Sequence, residues 1–397
     1  MFGDVRVTYK RISRNSGLNS PNLLYINEMT ENTQKPVILV GGGTGGHIMP
    51  LIAIAEEMNA RKIPFIYVGG KESREEKMVK DLGWQFVGID AGKWRRETGL
   101  KSIWLNMGDG FKVIAGFFQS VKILRQSKAE VVFSKGGFVA LPMVYAAKFL
   151  KVRLIIHESD VYMGLTNKLS ARFADKVLTA FDPKVFSNSD ERYIQVGIPI
   201  RKSLRAAADL KAPAKNRPVL LVMGGIQGAM AINNYIKQTL PELVKKYDVV
   251  HSVGEQNFAL FKTARESLKK TDQAHYKPYS FIDRELSYYY QTADLIISRA
   301  SATVIAEGAL FGKTMYLIPL PTSAGNHQVL NAKYLAEANA VEYREQYQLS
   351  GEKVLADVNE LISNPDKMKQ LGSNLRNYFN ENKTIETIME IILNGKS

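Results

Sequence analysis

Apolar and polar positions change period in the same way at two places along the chain. Val37 to Val40 is a short apolar run, mostly β-branched, the pattern of a strand buried on both faces. Glycines crowd around Thr44 between Gly41 and Gly46. Met49 to Arg61 then takes up a helical period, with Pro50 expected in its first turn. The order returns in the second half, with Val219 to Met223 as strand, Gly224 to Ala229 as glycine loop and Ala231 to Leu240 as helix. Further strands are expected at Phe65–Val68, Val131–Phe133 and Leu154–His157, then at Val249–Val253, Asp294–Ser298 and Thr314–Ile318. Helical segments such as Ser73–Leu82 and Leu141–Leu150 fall between them. Such alternation gives parallel sheets covered by helices, so the fold expected is α/β, with two Rossmann-like domains facing each other across a cleft. Residues 1–35 are polar and aperiodic and read as a disordered extension or a mis-assigned start, with Met29 as the alternative start. The first domain is expected over 36–202, a proline-containing linker over 203–217, and the second domain over 218–397. The helical stretch Glu360 to Leu393 is expected to pack back on the first domain.

A strand, a glycine loop and a helix in succession make an anion-binding turn. Unpaired N–H groups and the positive end of the helix dipole face the loop, and glycine lets the backbone approach a phosphate. Gly41, Gly43 and Gly46 match the dinucleotide spacing, but the strand Phe65 to Val68 runs into Gly69, Gly70 and Lys71 where that reading needs an acid. No G-K-[ST] closes the loop, which disfavours a P-loop NTPase. A tight turn for close helix packing is the structural alternative. His47 sits where the loop enters the helix.

Composition narrows the partners more than the fold. The 397 residues are 45% hydrophobic and 23% charged, ordinary for a globular chain long enough for two cores. There is no cysteine, which excludes disulfides and thiolate metal sites. No apolar run reaches the length of a membrane span, and no signal core opens the chain. A net charge of +14 asks for an anionic partner. Nucleic acid is disfavoured because no basic and aromatic recognition motif accompanies the charge. Without a D-x-D sequence no divalent-metal donor site is indicated, and no cofactor is expected.

Several motifs fall in a fixed order: G-G-G-T-G-G-H at Gly41–His47, S-K-G-G-F at Ser134–Phe138, H-E-S-D at His157–Asp160 with T-N-K at Thr166–Lys168, and V-G-I-P-I-R at Val196–Arg201. The second half adds G-G-I-Q-G-A, F-I-D at Phe281–Asp283, R-A-S-A-T-V-I-A-E at Arg299–Glu307 and N-H-Q-V-L-N-A at Asn326–Ala332. From about Lys35 onward the set resembles glycosyltransferase family 28, the bacterial peptidoglycan transferases that convert lipid I to lipid II.

The resemblance implies the GT-B fold and an inverting transfer of GlcNAc from UDP-GlcNAc to the muramyl 4-hydroxyl of lipid I. It implies a protein peripheral to the cytoplasmic face of the cell membrane, working in cell-wall biogenesis, with other cell-wall synthesis proteins as partners. It places the donor on the second domain, at Gly225, Ile226, Gln227 and Gly228 for the diphosphate and Ile282 for uracil. Ala302, Thr303 and Val304 lie beside it, with Glu307 for the ribose, Gln328 for the sugar and Arg201 for phosphate charge. Ile226 stands where the family commonly has serine, and Asp160 where many members have asparagine. From the first half, Thr44, Gly45, Gly46 and Asp160 complete the donor set. Gly42, Gly43, Thr44, Gly45 and Gly46 form the expected acceptor diphosphate site. His47 is the expected catalytic base, an imidazole of ordinary pKa near 6.5 beside a helix dipole that favours its neutral form. Glu158 is the alternative base, or the residue that orients His47 or binds the muramyl sugar.

The alternatives are a different UDP-sugar transferase, a nucleic-acid binder, and a nucleotide-binding protein without chemistry. Between Ala91 and Lys128 basic and apolar residues interleave, and Trp94, Trp104, Phe111, Phe117 and Phe118 are expected to lie on anionic lipid. A core-packed helix with solvated lysines is the other reading of that stretch.

Overall fold

Both sheets are wholly parallel and share one strand order. The computed structural model describes residues 34–92, 100–186, 190–225, 228–379 and 383–394, and only the backbone of 100–109. Most of the leader, together with Trp94, the Trp104 side chain, Ile226 and Gln227, therefore lies outside the described residues.

In the first half, β1 (Val37–Gly41), β2 (Phe65–Gly70), β3 (Phe86–Ile89), β4 (Val131–Gly136), β5 (Arg153–Glu158), β6 (Lys176–Thr179) and β7 (Tyr193–Gln195) run in the order 3-2-1-4-5-6-7. In the second, β8 (Val219–Met223), β9 (Asp248–Ser252), β10 (Tyr276–Tyr279), β11 (Leu295–Ser298), β12 (Thr314–Leu317) and β13 (Glu342–Tyr343) run 10-9-8-11-12-13, the same winding. Each sheet thus reverses direction beside its opening strand, between β1 and β4 and between β8 and β11. Doubly wound sheets bind ligands there.

β1 is buried throughout because both of its faces are covered. Val37 and Leu39 meet α1 (Gly45–Ala60), while Ile38 and Val40 meet α3 (Leu100–Ser127) and α4 (Ala140–Leu150). Helix α1 starts earlier than its apolar period suggested. Thr44 is its N-cap, so Pro50 lies in the second turn and leaves the Gly46 carbonyl without its usual i+4 donor.

The two halves are sewn together in several places. The start of the expected linker is a short helix, α6 (Lys202–Ala208), because Leu204 and Ala207 of K-S-L-R-A-A-A bury one side of it. Its first N–H, from Lys202, donates to Glu56 Oε2 at 2.9 Å, and Arg205 Nη2 donates to Glu57 Oε2 at 3.3 Å. Helix α14 (Thr384–Leu393) follows the second domain in sequence yet buries Ile385, Ile388, Met389 and Ile392 in the core of the first. The Arg153 guanidinium donates to the Ile391 and Ile392 carbonyls, capping the negative end of α14 with a cation.

Candidate active site

The two switch points face one another. The first turn of α1 approaches the first turn of α10 (Ala302–Leu310) so closely that a side chain on Gly46 would lie 3.8 Å from Thr303 Oγ1. Neither helix has a side-chain cap, so the first N–H groups of both lack a side-chain acceptor, while the His47 N–H turns back to the Thr44 carbonyl at 3.0 Å. The Thr303 hydroxyl is buried and has no hydrogen-bond partner among the described residues.

In the first loop Gly43 has φ of 86°, a conformation that glycine takes freely. A Cβ on Gly42 would strike the buried Glu75 carboxylate at 2.1 Å, so the loop is laid directly on that acid. Thr44 Oγ1 does not cap α1. It lies 3.0 Å from His47 Nδ1, which leaves Nε2 as the ring nitrogen without a hydrogen bond among the described residues. The ring is partly buried, and its pKa falls to about 3. Burial is the largest cause, followed by the charge of Lys135 and by His327 across the cleft, while the Gly42 carbonyl pulls the other way. His47 is thus neutral across the physiological range, more firmly than a helix dipole alone would make it.

Glu158 is committed elsewhere. Its Oε1 accepts from the N–H of Ser159 (2.8 Å) and of Asp160 (3.1 Å), and its Oε2 from Gly164 N–H and Asn167 Nδ2, both at 3.0 Å. Four donors occupy the capacity of a carboxylate. The side chain shapes the loop after β5. Burial and then Asp160 push its carboxyl up, against Lys135 and these donors. His157 Nε2 lies 2.8 Å from the Gly197 carbonyl, and burial lowers its ring to about 3. Asp160 reaches across the cleft, where its Oδ1 accepts from Asn331 Nδ2 at 2.7 Å. Asn331 Oδ1 in turn accepts from Val161 N–H at 2.9 Å. Asp160 and Val161 together therefore clasp α11 (His327–Glu337) of the second domain.

On the donor side, Gly224 needs its hydrogen: a Cβ would lie 2.6 Å from the Ser252 carbonyl. Gly225 and Gly228 have positive φ (71° and 77°) and shape the turn before α7 (Met230–Lys246). Glu307, on α10, is buried; its Oε2 accepts from the Tyr290 hydroxyl at 2.7 Å, and Oε1 has no partner among the described residues. Burial pushes its carboxyl up, and Tyr290 and Arg201 draw it back. Arg201 donates to Asp283 Oδ1 at 3.1 Å, and its Nε is buried without a partner among the described residues. Ile282 is a core residue, 1% exposed, whose side chain packs among Leu286 and Tyr289. Gln328 spends its carbonyl on the Leu320 N–H at 2.9 Å, leaving the amide as a donor. Ala302 packs in the core, and Val304 is half-buried beside it.

On the far face of the first domain Phe111 (73% exposed), Ile114, Phe118 and Phe149 stand out in solvent, with Lys112, Lys122 and Lys148 exposed around them. Phe117 bridges this patch to the core and lies edge-on to Phe118 and Phe149. Phe149 comes from α4, so reading α3 alone could not supply it. No helix of the described residues is long and apolar enough to cross a membrane.

Two family patterns match in chain order: the glycosyltransferase family 28 N-terminal domain over residues 37–179 and the family 28 C-terminal domain over 219–388. The chain is 34% identical over 364 residues to the UDP-N-acetylglucosamine–N-acetylmuramyl-(pentapeptide) pyrophosphoryl-undecaprenol N-acetylglucosamine transferase of Lachnoclostridium phytofermentans, covering 90% of this chain and 98% of that one. The protein of the same name from Clostridium novyi is 33% identical over 349 residues, covering 86% and 94%. Among solved structures the fold is that of Acinetobacter baumannii MurG (TM-score 0.69, 24% identity, 91% of this chain and 99% of that one). A UDP-N-acetylglucosamine 2-epimerase has it too (TM-score 0.61, 13% identity, 91% and 95%).

Proposed function

The chain belongs to glycosyltransferase family 28, and from that premise we propose that it carries out the transfer named for its relatives. It moves GlcNAc from UDP-GlcNAc to the 4-hydroxyl of the muramyl sugar of undecaprenyl-pyrophosphoryl-MurNAc-pentapeptide, lipid I, and so makes lipid II. The observation that carries this reading is the convergence of two uncapped helix N-termini, one from each domain, at Gly46 and Thr303. Donor and acceptor both bear a diphosphate, and each such terminus suits one.

In this reading the UDP half lies on the second domain. Glu307 Oε1 takes the ribose hydroxyls, the Ile282 main chain meets uracil, the Gln328 amide donates to the sugar, and Arg201 faces phosphate charge. The acceptor diphosphate lies on Gly42 to Gly46. His47 takes the proton of the attacking hydroxyl at Nε2 in the tautomer whose Nδ1–H donates to Thr44 Oγ1. Donors of the Gly224–Ala229 loop and the first turn of α10 stabilise the leaving UDP. With its four donors, Glu158 supports the loop and not the proton transfer. The exposed patch of Phe111, Ile114, Phe118 and Phe149 and its lysines suits a surface resting on anionic lipid, as an acceptor held in the bilayer requires. The protein then works peripherally at the cytoplasmic face of the membrane.

Labelled UDP-GlcNAc incubated with a short-chain lipid I analogue tests the proposal. The expected product is a disaccharide on the lipid. Firm UDP-GlcNAc binding with no transfer to that acceptor would sink it.

A further inference from the structure

Lys135 belongs to S-K-G-G-F, a motif of the first half that motif reading left without a role. Between β1 and β4 the register pairs Val40 with Ser134 and then Gly41 with Gly136, so Lys135 is the extra residue of a β-bulge. Bulges re-aim a side chain and are common beside active sites. Gly136 and Gly137 follow with φ of 86° and 79°, turning the main chain away while the lysine stays beneath the loop. Its Cβ would sit 3.1 Å from a Cβ on Gly41, and the residue is 1% exposed. The charges that act on its ammonium are those of Glu158 and Asp160.

A cation on a side chain this buried is costly unless it answers other charge. The charged and titratable groups around it are His47 from α1, His157 and Glu158 from β5, and Asp160 from the loop that follows. His327 of the second domain stands beyond His47, and Glu75 lies under Gly42. Two acids two residues apart, with a third beneath the loop, set up a negative field where an anionic diphosphate has to lie. Burial lowers the Lys135 ammonium, and Glu158 and Asp160 hold it up, as expected of one cation shared between them.

We propose that Lys135 is a positioning residue for the acceptor: folded under the first glycine loop by the β4 bulge, it offsets Glu158 and Asp160 and so keeps that loop able to take a diphosphate anion. The proposal rests on reading Gly42–Gly46 as the acceptor diphosphate site. It concerns net charge and not direct contact, which makes it separable from a structural role.

The test is a charge-compensation cycle with the full chain, UDP-GlcNAc and a soluble lipid I analogue. Lys135→Met is expected to raise KM for the acceptor about tenfold, the effect of about 1.4 kcal/mol, and to leave KM for UDP-GlcNAc within about twofold. Lys135→Met combined with Asp160→Asn is expected to bring the acceptor KM back to within about threefold of wild type, because one charge of each sign has been removed. The amide that Asp160→Asn introduces keeps an oxygen for Asn331. Asp160→Asn alone, which does not depend on the folding of the lysine variant, is expected to lower the acceptor KM and to raise sensitivity to inorganic pyrophosphate as an inhibitor competitive with the acceptor. An acceptor KM unchanged by Lys135→Met in a protein of wild-type melting temperature overturns the proposal. So does a rise that Asp160→Asn fails to reverse, or an Asp160→Asn protein whose acceptor KM stays put. If pyrophosphate does not compete with the acceptor in wild type, the loop assignment itself has failed, and this inference falls with it. Competition in wild type with no change in the variants removes the Lys135 role and leaves the loop assignment standing.

Discussion

The two glycine loops stand on matching sheets and differ in what lies behind them. Beneath the first are groups that change or carry charge: His47, Lys135, Glu75 and Glu158. Behind the second are neutral groups in fixed bonds. The Val253 carbonyl receives the Asn233 and Asn257 amides at 2.9 and 3.2 Å. Asn233 Oδ1 lies 3.0 Å from His251 Nε2, and His251 Nδ1 lies 3.1 Å from the Tyr276 hydroxyl. One scaffold thus sets one glycine loop over titratable groups and the other over fixed dipoles. In the proposed function the group that answers a reacting hydroxyl is tuned by burial and neighbours, whereas the loop that holds a diphosphate is backed by dipoles, with Glu307 and Arg201 as the charged contacts elsewhere in the donor site.

Removing the proton acceptor is the largest blow to this contrast. His47→Ala is expected to cut kcat by about a hundredfold or more and to leave UDP affinity unchanged. In wild type, His47 adds no acid limb to kcat/KM above about pH 5, because its ring is held near 3. A variant that keeps its turnover, or loses UDP binding, breaks the division. On the holding side, Glu307→Ala is expected to weaken UDP-GlcNAc binding by about 1–3 kcal/mol, since the ribose hydroxyls lose their acceptor. Calorimetric titration reads this directly, and an unaltered UDP affinity removes Glu307 from the ribose.

His251 sharpens the comparison by its protons. Burial lowers it to about 3 when folded, against about 6.5 unfolded. Below pH 6.5 the unfolded chain takes a proton that the native chain refuses, so stability present above 6.5 is lost as the pH falls, at up to about 1.4 kcal/mol per unit for this one ring. His251→Gln should flatten the fall in urea midpoint between pH 7.5 and 5.5 without moving the pH profile of turnover. Equal slopes in variant and wild type would show that the ring titrates freely in the fold. The smallest effect is expected outside both loops. Phe111→Ser and Phe118→Ser should each reduce sedimentation with acidic vesicles severalfold, while turnover of a water-soluble acceptor holds.

Much of this was legible in the chain. Val37–Val40 and Val219–Met223 are continuous apolar runs because their sheets are covered on both faces, and each run hands over to glycines that announce a close approach. Gly225, Gly228 and Glu307 were found by motif; the two glycines have positive φ in the turn before α7, and Glu307 is buried with Oε2 on the Tyr290 hydroxyl. Other features arise only in three dimensions. Glu158 looks like a free acid in H-E-S-D, because the N–H donors that surround it belong to a loop whose curl no local pattern encodes. The Lys135 bulge is a mismatch between two strands far apart in sequence and cannot be seen in either. Helix α1 begins at Gly45 and not near Met49, because glycines hide a helical turn from any periodicity argument. Phe149 joins the exposed patch only when α4 packs beside α3.

Helix α14 has a consequence for how the protein is made. Its apolar side covers the first domain, yet every residue of the second domain is translated before it. A nascent chain can wind the first sheet early, as N-terminal domains generally do. Until α14 arrives, that sheet presents uncovered apolar surface where Ile385, Ile388, Met389 and Ile392 will sit. Release of an interrupted chain therefore yields a first domain with a sticky flank, open to chaperones and proteases. The first sheet gains its last cover only after the second sheet has been synthesised.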